Sequence, residues 1–248
     1  MIEVRNVFKQ YDDNYVLNDV SVTFEQGMCN LIIGRSGSGK TVLLKSIVGL
    51  VEVDSGEICY ETRRFSHMGT SERQEIRKEM GMLFQGGALF DSMTVEENVM
   101  FPLTMFTSRS RKEKKERVNF CLDRVKVSGT NDQYPAELSG GMKKRVAIAR
   151  AIALNPRYLF CDEPNSGLDP QTGIVIDNLI KELTEEYNMT TIVNSHDMNS
   201  VFEIGDRVVY IHQGCKCWEG TKEEVLNSDN EALNDFVFAT HMARQIKK

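Results

Sequence analysis

The sequence has no long hydrophobic run, since none of its apolar stretches approaches the roughly 18 consecutive residues of a membrane-spanning helix. Residues 1–5 also lack the basic and apolar regions that begin a secretion signal. The six cysteines do not show the paired spacing of a zinc site, and Cys215 and Cys217 alone supply too few ligands for a tetrahedral zinc site. These absences predict a cytosolic protein with reduced thiols, without disulfides or structural zinc.

Positive charge is scarce as well, with 30 Lys and Arg residues against 36 Asp and Glu residues and a formal net charge of −6. This balance argues against nucleic acid as the main partner. The one dense basic cluster lies within residues 109–117, where Glu113 and Glu116 interrupt it. We interpret this cluster as the solvated start of a helix, with contact to anionic lipid headgroups as the alternative.

Short apolar runs and helical patterns alternate along the 248 residues, a length sufficient for one large domain or two small ones sharing a core. This alternation is typical of an α/β fold with a mostly parallel sheet. The N-terminal segments are instead separated by turn residues, as in a small antiparallel sheet. The predicted central strands are residues 29–33, 81–84, 158–161, 190–193 and 208–211, and the predicted antiparallel strands are residues 2–11, 17–24 and 57–60.

A helical pattern replaces the strands between residues 101 and 133. Val118, Cys121, Leu122 and Val125 are spaced i, i+3, i+4 and i+7, which places them on one buried stripe of a helix. We therefore predict an α-helical subdomain inserted into the core that contains the sheet. The tail, residues 221–248, is predicted to be helical with a polar end.

Residues 34–41, which we call the phosphate loop, satisfy the pattern G-x-x-x-x-G-K-[ST] between a predicted strand and a helix starting near Val42. The backbone N–H groups of the loop and the helix N-terminus are expected to bind the β- and γ-phosphates of a nucleotide. Lys40 would add a point charge, and Thr41 would offer a hydroxyl to Mg²⁺. The members of the loop are Gly34, Arg35, Ser36, Gly37, Ser38, Gly39, Lys40 and Thr41.

Two acidic residues and a histidine follow other predicted strands. Asp162 and Glu163 come directly after the apolar run 158–161, and His196 lies just past the run 190–193. Because α/β sheets place ligands at the carboxyl ends of their strands, we expect all three side chains near the phosphate loop. Asp162 suits Mg²⁺ through a water, and Glu163 can orient or deprotonate the water that attacks the γ-phosphate. His196 can hydrogen-bond that phosphate.

The signature motif, residues 138–142 with the sequence Leu-Ser-Gly-Gly-Met, precedes a helix and is not part of a generic phosphate-loop protein. Together and in order with the phosphate loop, Gln85, the acidic pair, residues 166–169 and His196, it resembles the ATP-binding subunit of an ATP-binding cassette (ABC) transporter. The resemblance covers nearly the whole chain. It implies a single P-loop ATPase domain over residues 1–248, with the helical subdomain at roughly 86–155.

The resemblance also implies roles for residues that no local pattern singles out. Tyr11 would stack on the adenine of ATP, and Val16 would flank it. Gln85 would contact the γ-phosphate and the metal and couple them to the helical subdomain. We therefore expect an ATPase that uses ATP and Mg²⁺, with Glu163, His196 and Gln85 as its catalytic residues.

In this family two copies of the domain close head to tail around two ATP molecules. By that resemblance Ser139, Gly140 and Gly141 would bind the triphosphate held by the second copy, through N–H donors at a helix N-terminus. Ser139 and Asp169 would form part of the dimer interface. Loss of the bridging charge after hydrolysis would let the dimer open and move whatever is docked near Gln85.

A narrower resemblance concerns residues 81–102 and Met142, which are similar to the Mla-type phospholipid-transport ATPases that serve MCE-domain lipid transporters. It implies phospholipid transport between membranes, with an integral-membrane permease and a periplasmic MCE-domain lipid-binding subunit as partners. It also implies a position at the inner face of the cytoplasmic membrane. Val42 and Asn165 depart from the residues that are frequent in the family at these positions.

Other functions fit parts of the same sequence. A chromosome or DNA-repair ATPase would insert a long coiled coil between the phosphate loop and the signature motif, and residues 41–138 contain no sustained heptads. This observation argues against that class, and with it against nucleic acid. A soluble cassette for iron–sulfur cluster assembly remains open, as does a cassette for an amino acid or a lipoprotein, because specificity lies in the permease.

Overall fold

The computed structural model describes residues 1–238, which form two sheets and surrounding helices. The strands are β1 (Ile2–Tyr11), β2 (Asn14–Phe24), β3 (Cys29–Ile33), β4 (Ser55–Tyr60), β5 (Arg63–Arg64), β6 (Met80–Leu83), β7 (Tyr158–Asp162), β8 (Thr190–Ser195), β9 (Arg207–His212) and β10 (Cys215–Gly220). The α-helices are α1 (Lys40–Ile47), α2 (Thr70–Lys78), α3 (Val95–Phe106), α4 (Arg111–Arg124), α5 (Gly140–Ile152), α6 (Pro170–Glu186), α7 (Met198–Ile204), α8 (Lys222–Leu226) and α9 (Glu231–Val237).

The larger sheet has the strand order β10-β9-β3-β8-β7-β6. Its neighbours pair in parallel except for β10, which is antiparallel to β9. Every residue of β3, β7 and β8 is buried, because helices or the smaller sheet cover both faces, and this burial explains their continuous apolar runs. The prediction of a mostly parallel sheet is confirmed, but β6 lies at the edge of the sheet and not at its centre.

The other edge strand, β10, has no apolar pattern that would predict it. Glu219 on this strand accepts hydrogen bonds from Arg207 Nη2 on β9 at 2.7 Å and from Lys216 Nζ at 2.8 Å. Charged side chains suit an edge strand because they discourage pairing with another chain. The sixth strand is therefore held by ion pairs and backbone pairing more than by apolar burial.

The smaller sheet, with the order β2-β1-β4-β5, is antiparallel as predicted. It packs on one face of the larger sheet, where Ile32, Tyr158 and Phe160 join its buried residues in one apolar core. Leu31 and Ile33 face the opposite core, which the helices cover. Successive residues of β3 thus point into different cores, as the pleat of a strand requires.

Helices α3, α4 and α5 carry most of the inserted helical region. The predicted buried stripe is confirmed, since Val118, Cys121, Leu122 and Val125 are each at most 1% exposed. Helix α4 begins where Ser110 Oγ accepts a hydrogen bond from Glu113 N at 3.3 Å, within the basic cluster. Arg117 in that cluster is not solvated as expected. It donates to the carbonyls of Ile152 and Ala153 at 2.7 and 3.0 Å and so caps the end of α5.

Three further expectations concern membrane-spanning helices, the cysteines and the C-terminal tail. Among residues 1–238 no helix is both long enough and apolar enough to cross a membrane, and the six cysteines are free. Helices α8 and α9 lie in the segment predicted to be a helical tail. The part of that prediction that concerns residues 239–248 lies outside the described residues.

Candidate active site

The phosphate loop turns sharply between β3 and α1, and two of its glycines have conformations that a side chain would disturb. Gly34 has φ = 151°, and a Cβ there would lie 2.3 Å from Ile211 O. Gly39 has φ = 108°, and a Cβ there would lie 2.6 Å from Val16 O. Helix α1 begins at Lys40, earlier than the predicted start near Val42, so its free N–H groups lie at the loop itself.

Lys40 is only 5% exposed, and its ammonium group is held inside the loop. Its Nζ donates to Gly34 O at 2.9 Å and to Arg35 O at 3.1 Å. Burial lowers the pKa of Lys40, while the carboxylates of Glu163 and Asp162 favour its charged form. The hydroxyl of Ser38 is buried without a hydrogen-bond partner among residues 1–238. A buried cation and an unpaired donor within one loop are the groups that a phosphate would satisfy.

Asp162 ends β7 and faces the start of α1. Its Oδ1 lies 3.4 Å from Thr41 Oγ1 and accepts a hydrogen bond from Asn194 Nδ2 at 3.1 Å. A hydroxyl and a carboxylate are hard oxygen ligands of the kind that Mg²⁺ takes, with phosphate oxygens and waters completing its shell. The described residues contain no group of three His, Cys, Asp or Glu side chains that could hold a metal ion. Thr41 and Asp162 therefore fit Mg²⁺.

Glu163 has a left-handed backbone conformation, with φ = 50°. Its N–H donates to Asn194 O at 3.0 Å, and its carbonyl accepts from Ser166 N at 3.1 Å. Its Oε2 lies 2.7 Å from His196 Nδ1, while the ring of His196 is largely exposed at the mouth of the site. Strained backbone of this kind persists where the surroundings fix it, and here it aims the carboxylate at the phosphate loop.

Gln85 lies in the segment that follows β6, residues 84–94, which we call the Gln loop. Its Nε2 donates to Ser166 Oγ at 3.3 Å, so it reaches across to the loop that carries Glu163. A cavity of about 600 Å³ lies between these groups, large enough for a nucleoside triphosphate. The predicted site residues that line it are Val16, Arg35, Ser36, Gly37, Gly39, Lys40, Thr41, Gln85, Glu163 and His196.

Tyr11 is the expected adenine-stacking residue, but it does not line this cavity in the described part of the chain. Its side chain is on the surface, 47% exposed, with Lys9 Nζ at 5.2 Å from the centre of its ring. Val16 does line the cavity, since its carbonyl lies against the phosphate loop at Gly39. Stacking of Tyr11 on a base stays a prediction.

The signature motif and Asp169 also lie away from the residues that line the cavity. Ser139 caps α5, where its Oγ accepts from Met142 N at 3.3 Å. Asp169 caps α6, and its hydrogen bonds with Thr172 hold the pKa of Asp169 below its ordinary value. A Cβ on Gly141 would lie 2.7 Å from Thr172 Cγ2, so the two caps are in contact. Neither cap lines the described cavity, so the two form one polar edge outside it.

Besides Val42, which also lines the cavity, three residues at or beside the site were missed by sequence reasoning. Phe236 on α9 lines the cavity and packs on Tyr210, with ring centres 5.5 Å apart. Lys144 on α5 is 5% exposed, and its Nζ donates to Gln85 O and, at 3.5 Å, to Glu163 O. Arg150 on the same helix donates to Gly87 O and Ala88 O, both at 2.7 Å. The sequence signal that could have identified part of this anchor is Arg150, the single cation within the apolar run 146–152. No local pattern distinguishes Lys144 from its neighbours Lys143 and Arg145.

A family model described as ABC transporter matches residues 17–166, which contain the phosphate loop, Gln85, the signature motif and the acidic pair. The chain belongs to the ABC transporter family. The methionine import ATP-binding protein MetN of Clostridioides difficile is 38% identical to this ABC domain over 237 residues, which is 96% of this chain and 74% of the relative. The intermembrane phospholipid transport system ATP-binding protein MlaF of Haemophilus influenzae is also 38% identical over 237 residues, 96% of this chain and 90% of the relative.

Solved structures show the same cassette fold. The dimeric ATP-binding cassette MJ0796, in a post-hydrolysis state bound to ADP and Pi, has a TM-score of 0.82 and 33% identity, covering 90% of this chain and 99% of that one. The cbiO1 protein of Clostridium perfringens, part of an ABC transporter complex, has a TM-score of 0.85 and 25% identity, covering 100% of this chain and 98% of that one. The chain is thus the ATP-binding subunit of an ABC transporter, and it is an ATPase.

The anchor on α5 gives a first testable prediction. Lys144→Met keeps the length of the side chain and removes the ammonium that joins the Gln loop to the loop of Glu163. We expect kcat for ATP to fall about tenfold, since hydrogen bonds from a charged donor contribute roughly 1.5–3 kcal/mol each. Phosphate release by the purified chain measures it. Lys143→Met, the neighbouring lysine, is the matched control, and an equal loss in both variants would contradict a specific role for Lys144.

Proposed function

We propose that this ATPase powers phospholipid transport between membranes through a separate integral-membrane permease. Its unit of function is a head-to-tail dimer of the chain, in which each phosphate loop and the signature motif of the other copy enclose one ATP. The polar edge formed by Ser139, Gly140, Gly141 and Asp169 supports this arrangement, because it offers N–H donors at a helix N-terminus and does not line the cavity of its own chain. The dimeric cassette MJ0796 is the precedent.

Hydrolysis follows from the geometry at the end of β7. Glu163 is placed to accept a proton from the attacking water or to orient it, because its carboxylate lines the cavity beside Lys40 and Gln85. His196, hydrogen-bonded to the same carboxylate, is placed to contact the γ-phosphate. Thr41 and Asp162 would hold Mg²⁺, which supplies charge neutralisation at the phosphates when it is bound. Lys40 and the loop N–H groups hold the β- and γ-phosphates.

The surface that would receive the permease lies beside the Gln loop. A cleft of about 470 Å³ there is lined mainly by apolar side chains, among them Phe84, Phe90, Phe101, Pro102 and Phe106. Phe90, Phe101 and Phe106 are 40%, 36% and 46% exposed, which is unusual for a group of neighbouring aromatic residues. Arg150 borders the cleft and holds the Gln loop, so a segment docked here would move with Gln85.

Phospholipid is proposed as the cargo because of residues 81–102 and Met142, the part of the chain that is similar to Mla-type ATPases. The MlaF relative supports this choice. The equally similar MetN relative makes an amino acid the second candidate. In the proposed function the helical region at roughly 86–155 transmits movement within a single domain of residues 1–248. The chain is held at the inner face of the cytoplasmic membrane, and an MCE-domain lipid-binding subunit completes the system.

A tagged chain purified from detergent-solubilised membranes tests both the docking surface and the cargo. Phe101→Asp places a charge in the cleft, and we expect the amount of co-purified permease to fall about tenfold while ATP affinity is unchanged. Leu226→Asp, a charge at another exposed apolar position on α8, is the control. Reconstitution of the complex then decides the cargo. ATPase stimulation by phospholipid vesicles supports the proposal, whereas stimulation by methionine would replace it.

A further inference from the structure

A buried polar cluster lies behind the active site and joins three segments of the chain. Asp177 on α6 is 1% exposed, Ser200 on α7 is fully buried, and Asn165 follows Glu163 in the loop that leads to α6. Asn165 Nδ2 donates to both partners, at 2.7 Å to Asp177 Oδ2 and at 3.1 Å to Ser200 Oγ. Gly173 lies beside this contact, since a Cβ there would lie 3.4 Å from Asn165 Cγ, at ordinary van der Waals distance.

The cluster connects the two segments that carry the proposed catalytic pair. Asn165 is two residues beyond Glu163, and Ser200 is four residues beyond His196. At the mouth of the site the segments meet through Glu163 Oε2 and His196 Nδ1, 2.7 Å apart. Beneath it they meet again through Asn165 and Ser200, with Asp177 as the common partner. The relative position of the pair is therefore fixed at two points, one facing the substrate and one in the interior.

The burial of the Asp177 carboxylate is unfavourable for the stability of the fold. Asp177 Oδ1 and Asn165 Oδ1 are buried without a hydrogen-bond partner in the described part of the chain. Burial is the main reason that the pKa of Asp177 is raised to about 6. The carboxylates of Asp197 and Glu203 on the α7 side also raise this pKa, whereas the hydrogen bonds from Ser200 and Asn165 lower it. The buried thiol of Cys161 on β7 is the other titratable neighbour. An apolar side chain would avoid this cost.

We infer that Asp177 is a positioning residue for ATP hydrolysis, whose carboxylate holds Asn165 and Ser200 so that Glu163 and His196 keep their reactive arrangement. This inference rests on the proposed roles of Glu163 and His196. The inference explains why a carboxylate is kept in the core. A charged acceptor makes charge-assisted hydrogen bonds, which are roughly twice as strong as neutral ones, so Asp177 holds Asn165 more firmly than a neutral side chain would. Protonation of Asp177 weakens the link between the two segments without touching the nucleotide.

An alanine cycle in the full chain tests the link. We expect Asp177→Ala and Asn165→Ala each to lower kcat about tenfold, and the double variant to lose no more than either, because both remove one connection. The KM for ATP should change by less than about twofold, since neither side chain lines the cavity. Losses that multiply to about 100-fold in the double variant, or an unchanged kcat in either single variant, would overturn the inference.

Asp177→Asn keeps the shape and removes the charge, and its pH profile gives the second readout. At pH 8 its kcat should be about one fifth of the unmodified chain's, and the ratio should approach one below pH 6, where Asp177 is itself protonated. Because burial raises the pKa of Asp177, ionisation removes stability as the pH rises through about 6. The Asn variant should therefore unfold at the same or a higher temperature at pH 8. A lower unfolding temperature with a pH-independent ratio would mean a structural role only.

Glu163→Gln, measured in the same assays, separates this inference from the function on which it rests. Normal turnover in Glu163→Gln would remove the proposed catalytic role, and the inference with it. If Glu163→Gln is inactive while the Asp177 variants match the unmodified chain in kcat and pH profile, the inference alone is wrong.

Discussion

We expect the replacement of Glu163 with Gln to lower kcat for ATP by about 10²–10³-fold and to leave the dissociation constant for ATP nearly unchanged. The amide fills the same space beside His196 but cannot take a proton from water, and positioned proton transfer contributes about 10²–10⁴-fold to a rate. The groups proposed to hold the phosphates, Lys40 and the loop N–H donors, are unchanged in this variant. With ATP bound and not hydrolysed, the two copies should remain closed, which size-exclusion chromatography with ATP detects as a dimer.

Glu182→Gln, an exposed carboxylate on α6, provides the matched control for this variant and should show normal turnover. Phosphate release under saturating ATP gives the rate, and equilibrium binding of a fluorescent ATP analogue gives the affinity. Normal turnover in Glu163→Gln would refute the role of this carboxylate. A large loss of ATP affinity would show instead that it acts in binding.

For Lys40→Ala we expect the main effect on ATP binding. The ammonium of Lys40 is held within the loop by two carbonyl groups, 2.9 and 3.1 Å away, at the place proposed for the phosphates. Its loss removes charged hydrogen bonds of roughly 1.5–3 kcal/mol each, so we expect the dissociation constant for ATP to rise about 100-fold. Isothermal titration of the purified chain with ATP and Mg²⁺ measures this change.

The control for Lys40→Ala is Lys45→Ala, one and a half turns further along α1 and outside the residues that line the described cavity. It removes a positive charge of the same kind from the same helix, so general electrostatic attraction is compared directly. An unchanged dissociation constant in Lys40→Ala would count against the whole nucleotide site. Burial lowers the pKa of Lys40, which indicates that the fold gives up stability to keep the cation there.

The parts of the structure that could be predicted are those in which the chemistry is local in sequence. The phosphate loop needs its glycines and Lys40 within eight consecutive residues, and a fully buried strand such as β7 must be apolar throughout. The acidic pair could be placed because the end of a parallel strand marks where ligands bind. The mostly parallel sheet and the antiparallel N-terminal sheet could also be predicted, because the apolar runs and the turn residues that indicate them are local in sequence.

The parts that could not be predicted depend on contacts between distant segments. Strand β10 is defined by its pairing with β9 and by Glu219, and neither gives a period-two apolar pattern. Phe236 reaches the cavity only because α9 returns to the sheet beside Tyr210. Arg117 looked like part of a solvated charge run, yet the carbonyls it caps belong to α5, some 35 residues away. No local pattern carries information of this kind.

The left-handed backbone of Glu163 lowers the stability of the fold, while the side chain of the same residue is the one proposed to serve ATP hydrolysis. A glycine would adopt φ = 50° without the cost of about 1–2 kcal/mol that a residue with a Cβ incurs there. A collection of variants selected only for heat resistance would therefore favour loss of this side chain. We expect such variants still to bind ATP through the phosphate loop but to hydrolyse it slowly, because they would lack the carboxylate proposed to act on the attacking water.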